Sequence, residues 1–335
     1  MRGARFIMAL MRFLIAFIAA LLALAGCAEH RESPLEGRPG GPYRLTLSLD
    51  PPDPSPGQET LLIWQLTYTR SGKPVQDLQV AHERLIHNFI VNLDFSSFAH
   101  IHHEDFNTVT DGDLAEASLR FPYRFPKAGH YRIVSEFAHQ NRSWTKHFDI
   151  EIGAATTIHK TAALAGISHS GAYAATLQTS PEIPVAGYET DLILTLERAG
   201  EPVTDLTLYL GSELHGAVWR EDGRYFGHLH SYTPRVAAII QMAHDRYADP
   251  QTRGGQIAQM MVQLMCMESE LVFPGPTLPI RYVFPEPGRY HVFLQLAPGG
   301  ETRVFPFTVD VTPFADGTDT SVHSPFDLKV PEDSS

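Results

Sequence analysis

The chain has 335 residues, with 26 lysines and arginines against 38 aspartates and glutamates, a formal charge of −12 at pH 7 and two cysteines. That acidity argues against nucleic acid as a partner, and two cysteines, one of them close to the N-terminus, leave no disulfide framework to hold a small fold together. The length suits two domains of about 100 to 150 residues, each able to bury its own core.

The chain opens with Arg2, Arg5 and Arg12, then an apolar run from Phe13 to Ala25 that ends in Leu24-Ala-Gly-Cys27. A charged region, a short apolar region and small residues before a cut read as a secretory signal rather than a membrane span. The tetrapeptide resembles the lipobox of bacterial lipoproteins, which implies cleavage before Cys27 and lipidation of that cysteine. Ala28, rather than Asp, follows it; by resemblance to the sorting rule of Gram-negative lipoproteins this implies a cell-envelope location, on the outer membrane facing the periplasm. An ordinary signal peptide or an uncleaved anchor is the alternative. Loss of three arginines takes the mature chain to 23 basic against 38 acidic residues, a formal −15.

Residues 27–41 are polar and rich in Gly, Pro and charge, and read as a tether from lipid to fold. Strands follow: Tyr43 to Leu49 alternates, and Thr60 to Tyr68 is a longer run of β-formers. After a turn at Ser71-Gly-Lys-Pro74 comes an apolar hairpin, then Ser118 to Phe125, Tyr131 to Phe137 and Trp144 to Ile152. Short strands with frequent turns and no long helix predict an all-β fold of antiparallel sandwiches. The pattern then repeats. A first sandwich over 42–152, a linker over 153–171 rich in Ala, Thr, Ser and Gly, and a second sandwich over 172–313 account for most of the chain, with a polar tail over 314–335 expected to be disordered.

The repeat is clearest in its histidines. His87, His100 and His102 are spaced by 13 and 2 positions, and His215, His228 and His230 repeat that spacing at an offset of 128. Asp222-Gly223, between two alternating apolar runs, predicts a two-residue hairpin turn with positive φ. Counted outward, that register sets His215 opposite His230 with His228 on the same face, and by the offset it sets His87 opposite His102 with His100 beside them. Arg124-Phe-Pro-Lys-Ala-Gly-His-Tyr131 recurs as Val283-Phe-Pro-Glu-Pro-Gly-Arg-Tyr290 at an offset of 159, so the second repeat carries 31 additional residues (159 less 128) between Ser231 and Phe273. Good helix formers without strand alternation predict two short helices there, over about residues 231–273. Met242, Met260, Met261, Met265 and Cys266 crowd them; soft sulfur ligands suit copper(I), but methionine also fills gaps on a buried helix face.

The histidine that opens an apolar strand, the run Asp94-Phe-Ser-Ser-Phe-Ala-His-Ile-His102 and the Phe-Pro-x-x-Gly-x-Tyr strand resemble the YtkA-like and FixH-like exported domains, in the neighbourhood of the CopC-like copper-binding proteins. The resemblance implies tandem immunoglobulin-like β-sandwiches and a role in heavy-metal handling. It departs where that pattern has Pro after the hairpin pair: His103 and Ser231 stand there instead.

Neutral imidazoles on a rigid hairpin are good ligands for copper(II) and zinc(II). Each trio is therefore expected to hold one transition metal, copper first and zinc as the alternative, with affinity weakening below about pH 6 as protons compete. His82, His103, Glu104, Glu136 and His139 are candidates for a fourth position in the first repeat, which is expected to be the tighter site; His244 or a methionine could serve the second. Besides the membrane reached through Cys27, an envelope metal-transport or assembly partner is expected. The alternative is a structural or interaction module of the envelope whose histidines bind no metal. No nucleophile elbow, phosphate loop, His-Glu-x-x-His or Cys-x-x-Cys motif is present, so no enzyme is expected.

Overall fold

The computed structural model describes residues 35–37, 41–154, 166–234, 236–237 and 270–323. The expected signal peptide with Cys27, the tail beyond 323 and nearly all of the expected helical insertion, with Met242, His244, Cys266 and the methionines around it, lie outside the described residues.

The first repeat comprises β1 (Leu35–Glu36), β2 (Tyr43–Asp50), β3 (Glu59–Tyr68), β4 (Ile86–Asn92), β5 (Phe98–Ile101), β6 (Ser118–Arg124), β7 (Gly129–His139) and β8 (Arg142–Ile152), with a short helix α1 (Asp111–Glu116) before β6. They form two antiparallel sheets, β1-β2-β3-β6 and β5-β4-β7-β8. Leu45, Leu47, Leu62, Trp64 and Phe121 of one sheet meet Ile90, Tyr131, Ile133 and Phe148 of the other in a single core. The second repeat has β9 (Ile167–Ser170), β10 (Tyr173–Ser180), β11 (Glu189–Arg198), β12 (Glu201–Pro202), β13 (Leu206–Thr207), β14 (His215–Arg220), β15 (Phe226–His230), β16 (Thr277–Val283), β17 (Gly288–Pro298) and β18 (Arg303–Val311). Its sheets are β12-β11-β10-β9, with β16 on β11, and β13-β17-β14-β15, with β18 on β17.

Strand for strand the repeats share one path, a hairpin in one sheet, a histidine hairpin in the other, one strand back and two strands to close. Each closes through the same corner. The Tyr131 hydroxyl donates to the Lys127 carbonyl at 2.9 Å, and the Tyr290 hydroxyl donates to the Glu286 carbonyl at 2.7 Å. A tyrosine bonded back four residues at the start of this strand is a mark of immunoglobulin-like sandwiches. The motif's glycine belongs to that corner: Gly129 and Gly288 have φ of +136° and +138°, where a side chain is strained.

Two segments differ from expectation. The tether contains β1, and the linker contains β9, each paired antiparallel with the first long strand of its repeat. Both are too short for alternation to register in the sequence. At the insertion, Thr233 begins a helical turn by accepting from the Val236 amide at 3.1 Å through its hydroxyl, with Pro234 in the first helical position.

Neither hairpin turn is of the two-residue type. Gly223 donates its amide to the Arg220 carbonyl at 2.7 Å, and Arg220 donates to Tyr225 at 3.2 Å. Only Gly223, and not Asp222, has positive φ. The first repeat copies this with Phe95, at φ +60°, in place of glycine. The loop is longer by an even number of residues, so the facing of every side chain is preserved.

The histidine-bearing sheets of the two repeats lie face to face. Alternate residues of β4 divide between its own core (Ile86, Ile90) and the other repeat (Phe89, Val91). Phe89, Val91, Phe95 and Val134 pack with Ala217, Trp219 and Phe293 in a third apolar cluster. Covering both faces explains why β4 is buried at all seven positions. Phe98 stacks on Phe293 at 4.7 Å, and Phe95, held in the left-handed region, lies flat on His291 at 3.8 Å; that burial offsets its backbone strain.

Trp219 is fully buried in this cluster. Trp219→Ala should cost about 3 to 5 kcal/mol, measured by urea unfolding of metal-free protein. A loss below about 1 kcal/mol would mean that the two sheets contribute little by packing on one another.

Candidate metal centre

At one end of this interface the apolar faces give way to imidazoles. Antiparallel pairing sets Phe89 opposite His100 and continues toward His87 and His102, while His215 pairs with His230 as the sequence register requires. All six histidines of the two trios share the inter-repeat face, and the pairs His100–His215 and His87–His228 approach to 5.8 Å between ring centroids across it.

In the first trio three nitrogens converge. His87 Nδ1 is 3.1 Å from His100 Nε2 and 3.0 Å from His102 Nε2, and the latter two are 3.0 Å apart. That spacing lets all three lie about 2.0 to 2.1 Å from one ion, the usual imidazole–metal distance. The outer nitrogen of each ring has its own acceptor. His87 Nε2 donates to the Ala81 carbonyl at 2.8 Å, His100 Nδ1 to Gln295 Oε1 at 3.0 Å, and His102 Nδ1 to Asp105 Oδ2 at 2.9 Å. Those bonds assign the tautomers. With the protons outside, three lone pairs face one another in a space where His102 is fully buried and His87 only 3% exposed. Each of the three offers a nitrogen lone pair toward the same point.

A shared proton is the competing cation, and burial works against it. Loss of hydration drives His87 and His100 well below the usual 6.5, and the neighbouring His102 drives both further. His102 is lowered by burial too, against the opposing pull of Asp105.

In the second repeat the converging set is not the expected trio: among the described residues it is His215 and His230 with His82 of the first repeat, while His228 brings a nitrogen within hydrogen-bond distance of His215 alone among these three. His215 Nε2 donates to the Leu210 carbonyl at 3.2 Å, which turns its Nδ1 toward His228 Nε2 at 3.3 Å. His228 Nδ1 donates to Glu136 of the first repeat at 2.9 Å. His230 Nε2 is buried without a hydrogen-bond partner among the described residues. His82, from the first repeat, stacks on His230 at 4.2 Å, and His82, His215 and His230 each offer a nitrogen within 4.8 Å of the others. Burial, then the proximity of His82, pushes His215 and His230 well below their usual value.

The candidates for a fourth position therefore fall differently from the sequence reading. His82 faces the second trio, not the first. Glu136 orients His228, and the Glu104 carboxylate accepts from the Leu85 amide at 2.8 Å. His103 Nδ1 accepts from the Arg120 amide, and His139 is held between Tyr43 and Asp77. The first trio is not the better supplied with ligands. Sequence reasoning missed Gln295 and Asp105 as orienting groups; the 159 offset pairs Gln295 with Glu136, and that symmetry was the available signal.

A family model described as Domain of unknown function (DUF8832) matches residues 40–154 and 168–313. Among curated proteins nothing matches the chain. Among solved structures, the Escherichia coli adhesin FdeC is similar at 12% identity and a TM-score of 0.23, over 80% of this chain and 64% of that one. The integrin-binding bacterial protein invasin follows at 11% and 0.22, over 81% and 39%. The chicken interferon gamma receptor alpha chain is at 9% and 0.20, over 80% and 97%. The chain spans less than two thirds of the length of FdeC and of invasin, and scores this low carry nothing about function.

Histidines whose folded pKa is depressed favour the folded state above the unfolded value of about 6.5, and that contribution is lost as pH falls and the unfolded chain takes up protons. The melting temperature of chelator-treated protein should therefore fall between about pH 6.5 and 5, and less steeply in a His87→Leu/His100→Leu variant. Equal slopes in the two proteins would show that the imidazoles are not desolvated.

Proposed function

The chain belongs to the family described as Domain of unknown function (DUF8832), one copy in each sandwich, and we propose that it is an exported envelope protein that binds transition-metal ions, copper foremost, through His87, His100 and His102 and through His215, His228 and His230. The observation that carries this reading is the triangle of proton-free nitrogens at 3.0 to 3.1 Å, each held by an acceptor on its far side. Outer-shell bonds of this kind orient metal-ligating histidines and raise their basicity. An all-imidazole donor set suits copper and zinc, and copper(II) stands highest among the divalent first-row ions.

The two positions share one buried chamber, so two dications would repel and fill in sequence rather than independently. Asp105 and Glu136 are both committed to orienting histidines, a role that suits metal handling. The resemblance to YtkA-like and FixH-like domains near the CopC-like proteins supports the same class. Lipidation at Cys27 would hold the protein at the outer membrane, within reach of an envelope metal-transport partner.

Soluble protein beginning after Cys27, stripped with chelator, should take up two equivalents of copper(II) or zinc(II) and lose one in each of the variants His100→Ala/His102→Ala and His228→Ala/His230→Ala. Metal at a thousandfold excess over the dissociation constant should add about 4 kcal/mol of stability. If a protein lacking all six histidines binds as tightly as the wild type, the trios are structural and the envelope interaction module replaces this reading.

A further inference from the structure

One turn of the first repeat is built in an unfavourable way. His82 and Glu83 are the central residues of a two-residue turn closed by reciprocal bonds between Ala81 and Arg84, at 2.9 and 3.0 Å. Their φ values are +45° and +64°. Positive φ at both positions is the province of Gly, Asn and Asp, and a branched or ring-bearing side chain held there is strained. The strain persists, and it delivers His82, 2% exposed, into the inter-repeat chamber. There its ring lies flat on His230 at 4.2 Å and edge-on to His215 at 5.5 Å, while its own repeat's His87 is at 6.0 Å. The same turn presents the Ala81 carbonyl that orients His87.

The second repeat makes the equivalent turn between Tyr209 and Ser212, at φ of +54° and +72° for its central residues. At the position matching His82, 128 residues on, it carries Leu210. The backbone device is duplicated, but the imidazole is on one side only.

Building on the metal reading above, we propose that His82 is a ligand to the second repeat's metal, making that position an inter-repeat site of up to four imidazoles, while the first repeat's position keeps three. His82 joins His215 and His230 directly, and His228 is oriented across the interface by Glu136. The ion at this position thus draws on both sandwiches. It binds when they are docked, and by linkage its binding holds them docked. The two sites differ in kind: the first has its ligands on one hairpin and an open position, as in catalytic or exchangeable sites, and the second approaches the closed four-ligand set of structural ones.

The test uses the full soluble chain with copper(II), read by copper content after gel filtration and by the electron paramagnetic resonance spectrum. His82→Gly relieves the positive φ and opens room for a free imidazole; His82→Leu keeps the bulk and places the second repeat's own residue there. Both should bind the second equivalent more weakly than the wild type and with an altered spectrum, and added imidazole should restore the wild-type affinity and spectrum in His82→Gly alone. Two equivalents with unchanged spectra in both variants would overturn the assignment and leave the trio reading intact. No copper bound by the wild type would overturn the trio reading and this assignment with it.

Discussion

Seven histidines can gather at one inter-repeat face only because two β-sheets press their hairpin faces together. Phe89, Phe95, Trp219 and Phe293 fill the middle of that contact, and their burial supplies the hydrophobic driving force that removes water from the end where the imidazoles lie. Without it His100 would lose Gln295, His228 would lose Glu136, and the second trio would lose His82. Both the burial that lowers the pKa of His87, His100 and His215 and the hydrogen bonds that aim the rings follow from one apolar contact.

The hairpin is suited to this because of its period. Each strand alternates, so one face can serve the sandwich core while the other serves the interface. On β4 the outward face reads His87, Phe89, Val91; on β14 it reads His215, Ala217, Trp219. Imidazole, then apolar side chains, appear in that order on both. Stacking the two faces brings histidine against histidine and aromatic against aromatic. Phe89 shows the connection most directly, since its ring supports His100 at 4.2 Å and reaches His228 of the other repeat at 4.9 Å.

Duplication gave the chamber near-symmetry, and a few substitutions broke it. Glu136 and Gln295 occupy matching positions and each orients the partner repeat's middle histidine, but one is a carboxylate and the other an amide. His82 and Leu210 occupy matching strained turns, but only one can ligate. The two proposed metal positions differ accordingly in neighbouring charge and in the imidazoles within reach.

Much of this was legible in the chain. The spacing of 13 and 2 repeated at an offset of 128, together with the side-chain period of two, determined that each histidine trio would share a face, and it did so although the turn type was misjudged, because an even change in loop length leaves parity untouched. The paired Phe-Pro-x-x-Gly-x-Tyr motifs determined the common corner of the two sandwiches. What the tertiary structure alone decided is how the repeats meet. A strand buried on both faces and a strand buried on one differ in sequence only by a few apolar side chains, so nothing in Phe89 or Trp219 announced a partner sheet. Once the sheets dock, residues more than a hundred positions apart become neighbours, so His82, a candidate for the first repeat's site, faces the second, and Gln295 orients His100 of the other repeat.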